Sequence, residues 1–134
     1  MSYTVINVPE ASDVPAPPPQ TWSNMKVAQG GHFHISGMVR EGATTYDQAR
    51  GIFADIRSLI QAAGGAMDDI MTMQIFVIDL DDNQEIWRAR REFFSGDFPC
   101  STLIQAVRVG SPKANPPMRV EINCCGYIGG STSK

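Results

Sequence analysis

The sequence predicts an α+β fold: a mostly antiparallel or mixed six-stranded sheet with two helices on one face. Two stretches repeat apolar residues at helical spacing, one from Ala49 to Ala63 and one after the acidic turn Asp79–Asp82. The segments around them are β-rich, giving the order β-ββ-α-β-α-β-β. A chain of 134 residues has room for one core, so residues 1–134 are expected to form a single domain.

Tyr3 to Val8 alternates well enough for a short edge strand. Pro9 to Gln20 carries five prolines and reads as an extended, irregular connection. Met25–Ala28 and His32–Val39 flank Gln29-Gly30-Gly31, the pattern of a β-hairpin. Thr45 and Gln48 have the spacing of a capping box. Behind them Ala49, Ile52, Phe53, Ile56, Leu59, Ile60 and Ala63 make one apolar stripe, and Gly64-Gly65 supplies the stop. Asp69 to Leu80 is β-rich. Asp82 and Glu85 read as a second capping box, opening a helix that runs through Phe94 and buries Ile86, Ala89 or Arg90, and Phe93. Pro99 stops that helix region and leads into a strand over Cys100–Val107. This strand begins with Cys100, Ser101 and Thr102, side chains too small to fill a core; such a start borders a pocket or is an ordinary connection. Gly110–Pro117 is a proline-containing loop, Met118–Ile128 the last strand, and residues 129–134 a flexible tail.

Two helices on one face leave the other face bare, and no element remains to cover it. Self-association is the simplest cover for a large apolar patch. A net charge of −3 without a basic cluster points away from nucleic acid. The apolar runs are too short for a membrane span, and the polar, proline-rich start lacks the pattern of a secretory leader. Three cysteines without framework spacing fit a reducing cytoplasm.

Several strings, taken together and in order, resemble the YjgF/RidA (reactive intermediate deaminase) family. They are Ile35-Ser36-Gly37, Leu59-Ile60-Gln61-Ala62-Ala63-Gly64-Gly65, Asp69-Ile70, Phe76-Val77-Ile78-Asp79-Leu80, Phe93-Phe94, Phe98-Pro99 followed by Ser101-Thr102, and Val120-Glu121-Ile122. The likeness runs from about Trp22 to Ile128. It implies a YjgF-like (chorismate-mutase-like) homotrimer whose sheets pack into a barrel-like core, with small-molecule clefts between subunits. It also implies a cofactor-independent enzyme that hydrolyses enamines and imines and releases ammonia. In the family's archetype an arginine binds the substrate carboxylate and water is positioned to attack the imine carbon. Cys100 stands at the arginine's place, and a thiol cannot supply a bidentate fork. Asn123 stands where the archetype has a glutamate; it can orient water but not take its proton. Trp22-Ser23 lies near the family's N-terminal tyrosine, and Trp87 replaces a cleft-facing asparagine. The cleft is therefore expected to be less charged and more aromatic.

Candidate site residues follow. Cys100 is a nucleophile, activated by Arg90 or Arg91 on the neighbouring helix, or a small pocket-lining residue. Glu121 is a general base, or a structural carboxylate bonded to backbone amides. Trp22 and Trp87 wall a site for a conjugated ligand or pack between subunits. Arg88, Arg90 or Arg91 replaces the lost clamp or stays on an exposed helix face. Ser36, Gly37, Ser101 and Thr102 shape the cleft, with Asn123 holding water. His32 and His34 share a strand face without a third ligand, and Cys124 and Cys125 point apart, so no metal site is expected. Two functions remain open: hydrolysis of a bulky, aminomuconate-like enamine or imine, or non-catalytic binding of a metabolite or partner by a trimer of this fold.

Overall fold

Helix α1 (Thr45–Ala62) is the longest element of the computed structural model, which describes residues 2–111 and 113–132. Its stripe of Ala49, Ile52, Phe53, Ile56, Leu59 and Ile60 is fully buried. Each large member contributes about 1.5–3 kcal/mol by leaving water, so packing rather than local propensity holds the helix. The capping box expected at Thr45–Gln48 is corrected. Thr44 is the cap, its Oγ1 accepting the Asp47 N–H at 3.1 Å. Thr45 is buried, and its hydroxyl donates to Asp82 at 2.8 Å and accepts from Arg119 Nε at 2.9 Å. Gln48 is buried too and joins Gly42, Pro117 and Arg119 through its amide. At the other end Gly64 takes a φ of +86°, and the Gly65 N–H returns to the Ile60 carbonyl.

Six strands form one sheet: β1 (Thr4–Ile6), β2 (Met25–Val27), β3 (His32–Met38), β4 (Ile70–Val77), β5 (Cys100–Gln105) and β6 (Val120–Tyr127). Their order is β1-β2-β3-β6-β4-β5. All neighbours are antiparallel except β4 and β5, which run parallel because helix α2 (Asn83–Arg90) carries the chain back between them. Phe33, Ile35, Met73, Ile75, Val77, Val120, Ile122 and Cys124 turn inward to the core under α1, and α2 adds Ile86 and Ala89.

Helix α2 departs from expectation at both ends. Asp82 makes no cap bond; its carboxylate takes Arg119 Nη2 at 2.6 Å, while Glu85 accepts the Tyr46 N–H. The helix stops at Arg90 rather than Phe94, because the N–H groups of Glu92 and Phe93 bond back only three residues, tightening the turn. Strand β4 likewise begins after a 3₁₀ turn at Met67–Asp69 and ends at Val77. Asp69 then ties down the chain end: its carboxylate accepts from the N–H groups of Ala66, Gly129 and Ser131 and from the Ser131 hydroxyl. Those contacts hold part of the stretch expected to be a flexible tail; Ser133 and Lys134 of that stretch, and Pro112 of the preceding loop, lie outside the described residues.

Among the described residues no helix lies on the outer face of the sheet, but that face is not the apolar patch expected. Strand register sets Lys26, His34, Cys125, Thr72 and Cys100 in one row and Asn123, Gln74 and Thr102 in the next. A third row holds Glu121, Phe76 and Ile104. Polar and small side chains dominate, with aromatic groups at the rim.

Candidate functional site

A bulge in β3 creates the site. Ile35 pairs with Cys124 and Met38 with Ile122, so two residues, Ser36 and Gly37, lie opposite Asn123 alone. The bulge brings the Gly37 backbone against Glu121. A Cβ on Gly37 would lie 2.3 Å from Glu121 Oε2, so only glycine admits the carboxylate there. The other oxygen, Oε1, accepts the Gly110 N–H at 3.2 Å. Glu121 is thus positioned from two sides yet remains partly exposed.

Two open basins meet at Trp22, Ser36 and Gly37. One, of about 620 Å³, is bounded by Glu121, Val39, Gly110 and Ser111. The other, of about 710 Å³, is floored by Asn123, Gln74, Thr72, Thr102 and His34. Trp22 is half exposed, and its indole N–H donates to buried Asn24 at 3.3 Å. Asn24 in turn donates its amide to the carbonyls of Asn7 and Pro15, which fixes the segment carrying the tryptophan. Ser36 donates its hydroxyl to the Ser23 carbonyl at 2.6 Å, so it braces the wall. Asn123 donates to Gln74 Oε1 at 3.2 Å.

Residues 15–128 match the endoribonuclease L-PSP family, the family also named YjgF/RidA. The chain belongs to it. Solved structures of the same fold include a Pseudomonas aeruginosa protein of unknown function, 26% identical over 95% of this chain and 94% of that one, with a TM-score of 0.78. RidA from an Antarctic Psychrobacter is 24% identical over 84% and 92%, with a TM-score of 0.73. TdcF of E. coli, solved with bound serine, is 25% identical over 80% and 87%, with a TM-score of 0.70. Membership of the YjgF/RidA family supports a role in processing small molecules.

Within this YjgF/RidA chain the predicted site residues fall into two groups. Trp22, Ser36, Gly37, Thr102, Glu121 and Asn123 line the outer basins. Cys100 shares their face, opposite Thr72 at the exposed edge. Ser101 faces the helix side, where its hydroxyl accepts from Arg90 Nη1 at 3.0 Å, and Trp87 flanks that arginine. The strand's alternation therefore turns Cys100 away from the residue that Arg90 reaches, so the cation expected to activate the thiol is engaged elsewhere. Cys124 and Cys125 do point apart; burial, reinforced by Cys125, pushes the Cys124 thiol well above its ordinary value. His32 stacks on Tyr127 and packs edge-on to His34. Among the described residues no group of three or more His, Cys, Asp or Glu is placed to hold a metal, and no helix is long and apolar enough to cross a membrane.

Sequence reasoning missed Gln74, Thr72, Lys26 and Gly110. The first two carried a signal, as polar residues at alternate positions of an otherwise apolar β4. Gly110 carried none, since its role depends on a loop folding back onto β6.

Proposed function

We propose that this YjgF/RidA protein is a cofactor-independent enamine and imine hydrolase acting in the cytoplasm as a homotrimer. The observation that carries the reading is the Glu121 carboxylate, set against Gly37, oriented by the Gly110 N–H and open to a basin walled by Trp22. A carboxylate so placed can accept a proton from water while the water oxygen adds to the imine carbon. That proton passes to nitrogen, giving a carbinolamine; its hydroxyl proton then moves to nitrogen as the C–N bond breaks, leaving a carbonyl compound and ammonia. Asn123 and Thr102 orient water or substrate, Ser36 and Gly37 shape the wall, and Cys100 stands at the basin's edge. In this reading Trp87, Arg90 and Ser101 join the site only across a subunit boundary, which is why it calls for a second copy of the chain. The serine held by the E. coli relative supports an occupant of metabolite size. The aromatic walls favour a substrate larger than 2-aminoacrylate, such as an aminomuconate-like intermediate. A net charge of −3 gives no footing for nucleic acid.

One observation favours a second reading, a trimer that binds a metabolite or partner without turnover: Asn123 occupies the archetypal glutamate's place, and its amide is committed to Gln74. Ammonia release from freshly generated enamines and imines decides between them. The panel spans 2-aminoacrylate, bulkier imino acids and 2-aminomuconate, with Glu121→Ala and Cys100→Ala beside wild type. Turnover of a bulky member that Glu121→Ala abolishes supports the hydrolase. Turnover of 2-aminoacrylate alone refutes the substrate argument, and no turnover across the panel leaves the binding protein.

A further inference from the structure

The arginines of this chain are mostly spoken for. Arg40 pairs with Asp55 and Asp13, Arg50 with Glu92 and Arg119 with Asp82. Arg57 lies over the Phe93 ring and Arg88 over the Tyr46 ring. Arg90 differs. It is half-buried, its Nη1 meets Ser101 Oγ at 3.0 Å and Met73 Sδ at 4.0 Å, and among the described residues no carboxylate pairs with it. Burial, and then the like charge of Arg91, lower its pKa from the ordinary arginine value. A cation withdrawn from water without a counter-ion is costly, and an anion arriving beside it relieves that cost.

The surroundings say which anion. Trp87 and Phe98 are both large, exposed aromatics, and with Arg90 and Arg91 they line a cleft of about 240 Å³. Trp87 and Arg91 also border an adjoining basin of about 630 Å³ that includes Arg88, Gln84 and Glu85. Glu85, the acidic group on that lining, is turned to the Tyr46 N–H. A guanidinium fork matches a carboxylate in two parallel hydrogen bonds, and flanking rings favour a flat, conjugated body.

We propose that Arg90 and Ser101, between Trp87 and Phe98, form a receptor for the carboxylate of a planar, conjugated or aromatic acid. The arginine comes from helix α2, not from the strand position held by Cys100. As a binding site this stands on the contacts above; as the carboxylate subsite of the substrate it rests on the hydrolase reading. Arg90 and Ser101 lie on the helix side of β5, and Thr102 and Glu121 on the other side of the sheet, so a second copy is required to bring the two halves onto one substrate.

The test is a ligand-observed NMR titration of the full chain with cinnamate and with its neutral counterpart cinnamamide. Wild type is expected to bind cinnamate and to discriminate against the amide. Arg90→Gln should weaken cinnamate about tenfold to a hundredfold, the loss of a charge-assisted pair, and Arg90→Lys should restore only part of it. Thermal melts of both variants establish that they fold. No cinnamate binding by wild type, equal affinity for acid and amide, or an unchanged Arg90→Gln would each overturn the receptor. Cinnamate binding lost in Arg90→Gln with no ammonia release from any imine leaves the receptor standing and removes the hydrolase. Glu121-dependent turnover that Arg90→Gln leaves unchanged at low substrate does the reverse.

Discussion

Replacing Gly37 by alanine separates the geometry of the site from the stability of the fold. The new Cβ would lie 2.3 Å from Glu121 Oε2 and 3.0 Å from Cδ, so the carboxylate must swing away. That carboxylate is the end of a flexible, partly exposed side chain, and it can move. The cost is the hydrogen bond from Gly110, about 1 kcal/mol. Against it stands a gain of roughly 0.5–1 kcal/mol from removing a glycine inside a strand, because Gly37 does not need a left-handed φ. The two nearly cancel, and urea unfolding should place Gly37→Ala within about 1 kcal/mol of wild type. Gly126→Ala is the internal contrast. Its Cβ would meet the Asp69 carbonyl oxygen at 2.1 Å and the Ile70 Cα at 3.0 Å, backbone atoms that cannot step aside, so a loss of about 1–3 kcal/mol or more is expected. Activity should follow the opposite order. Ammonia release by Gly37→Ala should fall by about 100-fold, as expected when a reacting group is displaced by an ångström or so. Wild-type turnover in a folded Gly37→Ala would refute the role given to Glu121, and a Gly37→Ala less stable than Gly126→Ala would refute the packing argument.

Asp69→Asn tests the tie on the chain end. Burial favours the neutral form of this carboxyl, but hydrogen bonds from Ser131, Gly129 and Ala66 outweigh it and hold the pKa below the ordinary 3.8. A depressed folded pKa means that the stabilisation is complete above 3.8 and is lost as pH falls through the lower folded value. The variant should lose roughly 2–4 kcal/mol in urea unfolding at neutral pH, with a gap to wild type that narrows in acid; a constant gap would count against the assignment. Thr44→Ala should cost about 1 kcal/mol as a lost cap, independently of Arg119. Thr45→Val should instead be non-additive with Arg119→Ala in a double-mutant cycle, because its hydroxyl bridges Arg119 and Asp82. Additivity there would count against the bridge.

What could be read ahead of the structure was local and periodic. Ala49 to Ile60 announced α1 through helical spacing, and the β-rich composition of Asp69 to Leu80 announced β4, though not which of its residues turn inward. The capping residues were misread because a Thr-x-x-Gln spacing has no means of showing that Gln48 and Thr45 are needed by Arg119, 71 and 74 residues further on. The end of α2 was overextended for a related reason: Phe93 and Phe94 pack on Phe53 from beyond the helix end, so apolar spacing alone does not fix where the helical hydrogen bonds tighten. Glu121 could be singled out by resemblance, but its setting could not, since the β3 bulge and the returning Gly110 loop are both non-local.

The division of the candidate residues between two faces constrains the function more than any one of them. Period-2 alternation along β5 sends Thr102 to the open face and Ser101 to the helix side, and no rotamer change moves a side chain through a sheet. A substrate that touches both Glu121 and Arg90 therefore needs two copies of the chain, with the open face of one set against the α2 edge of the next. That open face is polar at its centre, with Asn123, Gln74 and Thr102, and aromatic at its rim, with Trp22 and Tyr127. In the proposed assembly such a face would enclose a cavity instead of filling it. The proposed receptor at Arg90 would set the carboxylate anchor away from the Cys100 edge, in the cleft that Trp87 and Phe98 line. Such a receptor selects for a flat acid with apolar faces over a short imino acid, because a short ligand anchored at Arg90 would leave the two rings exposed to water.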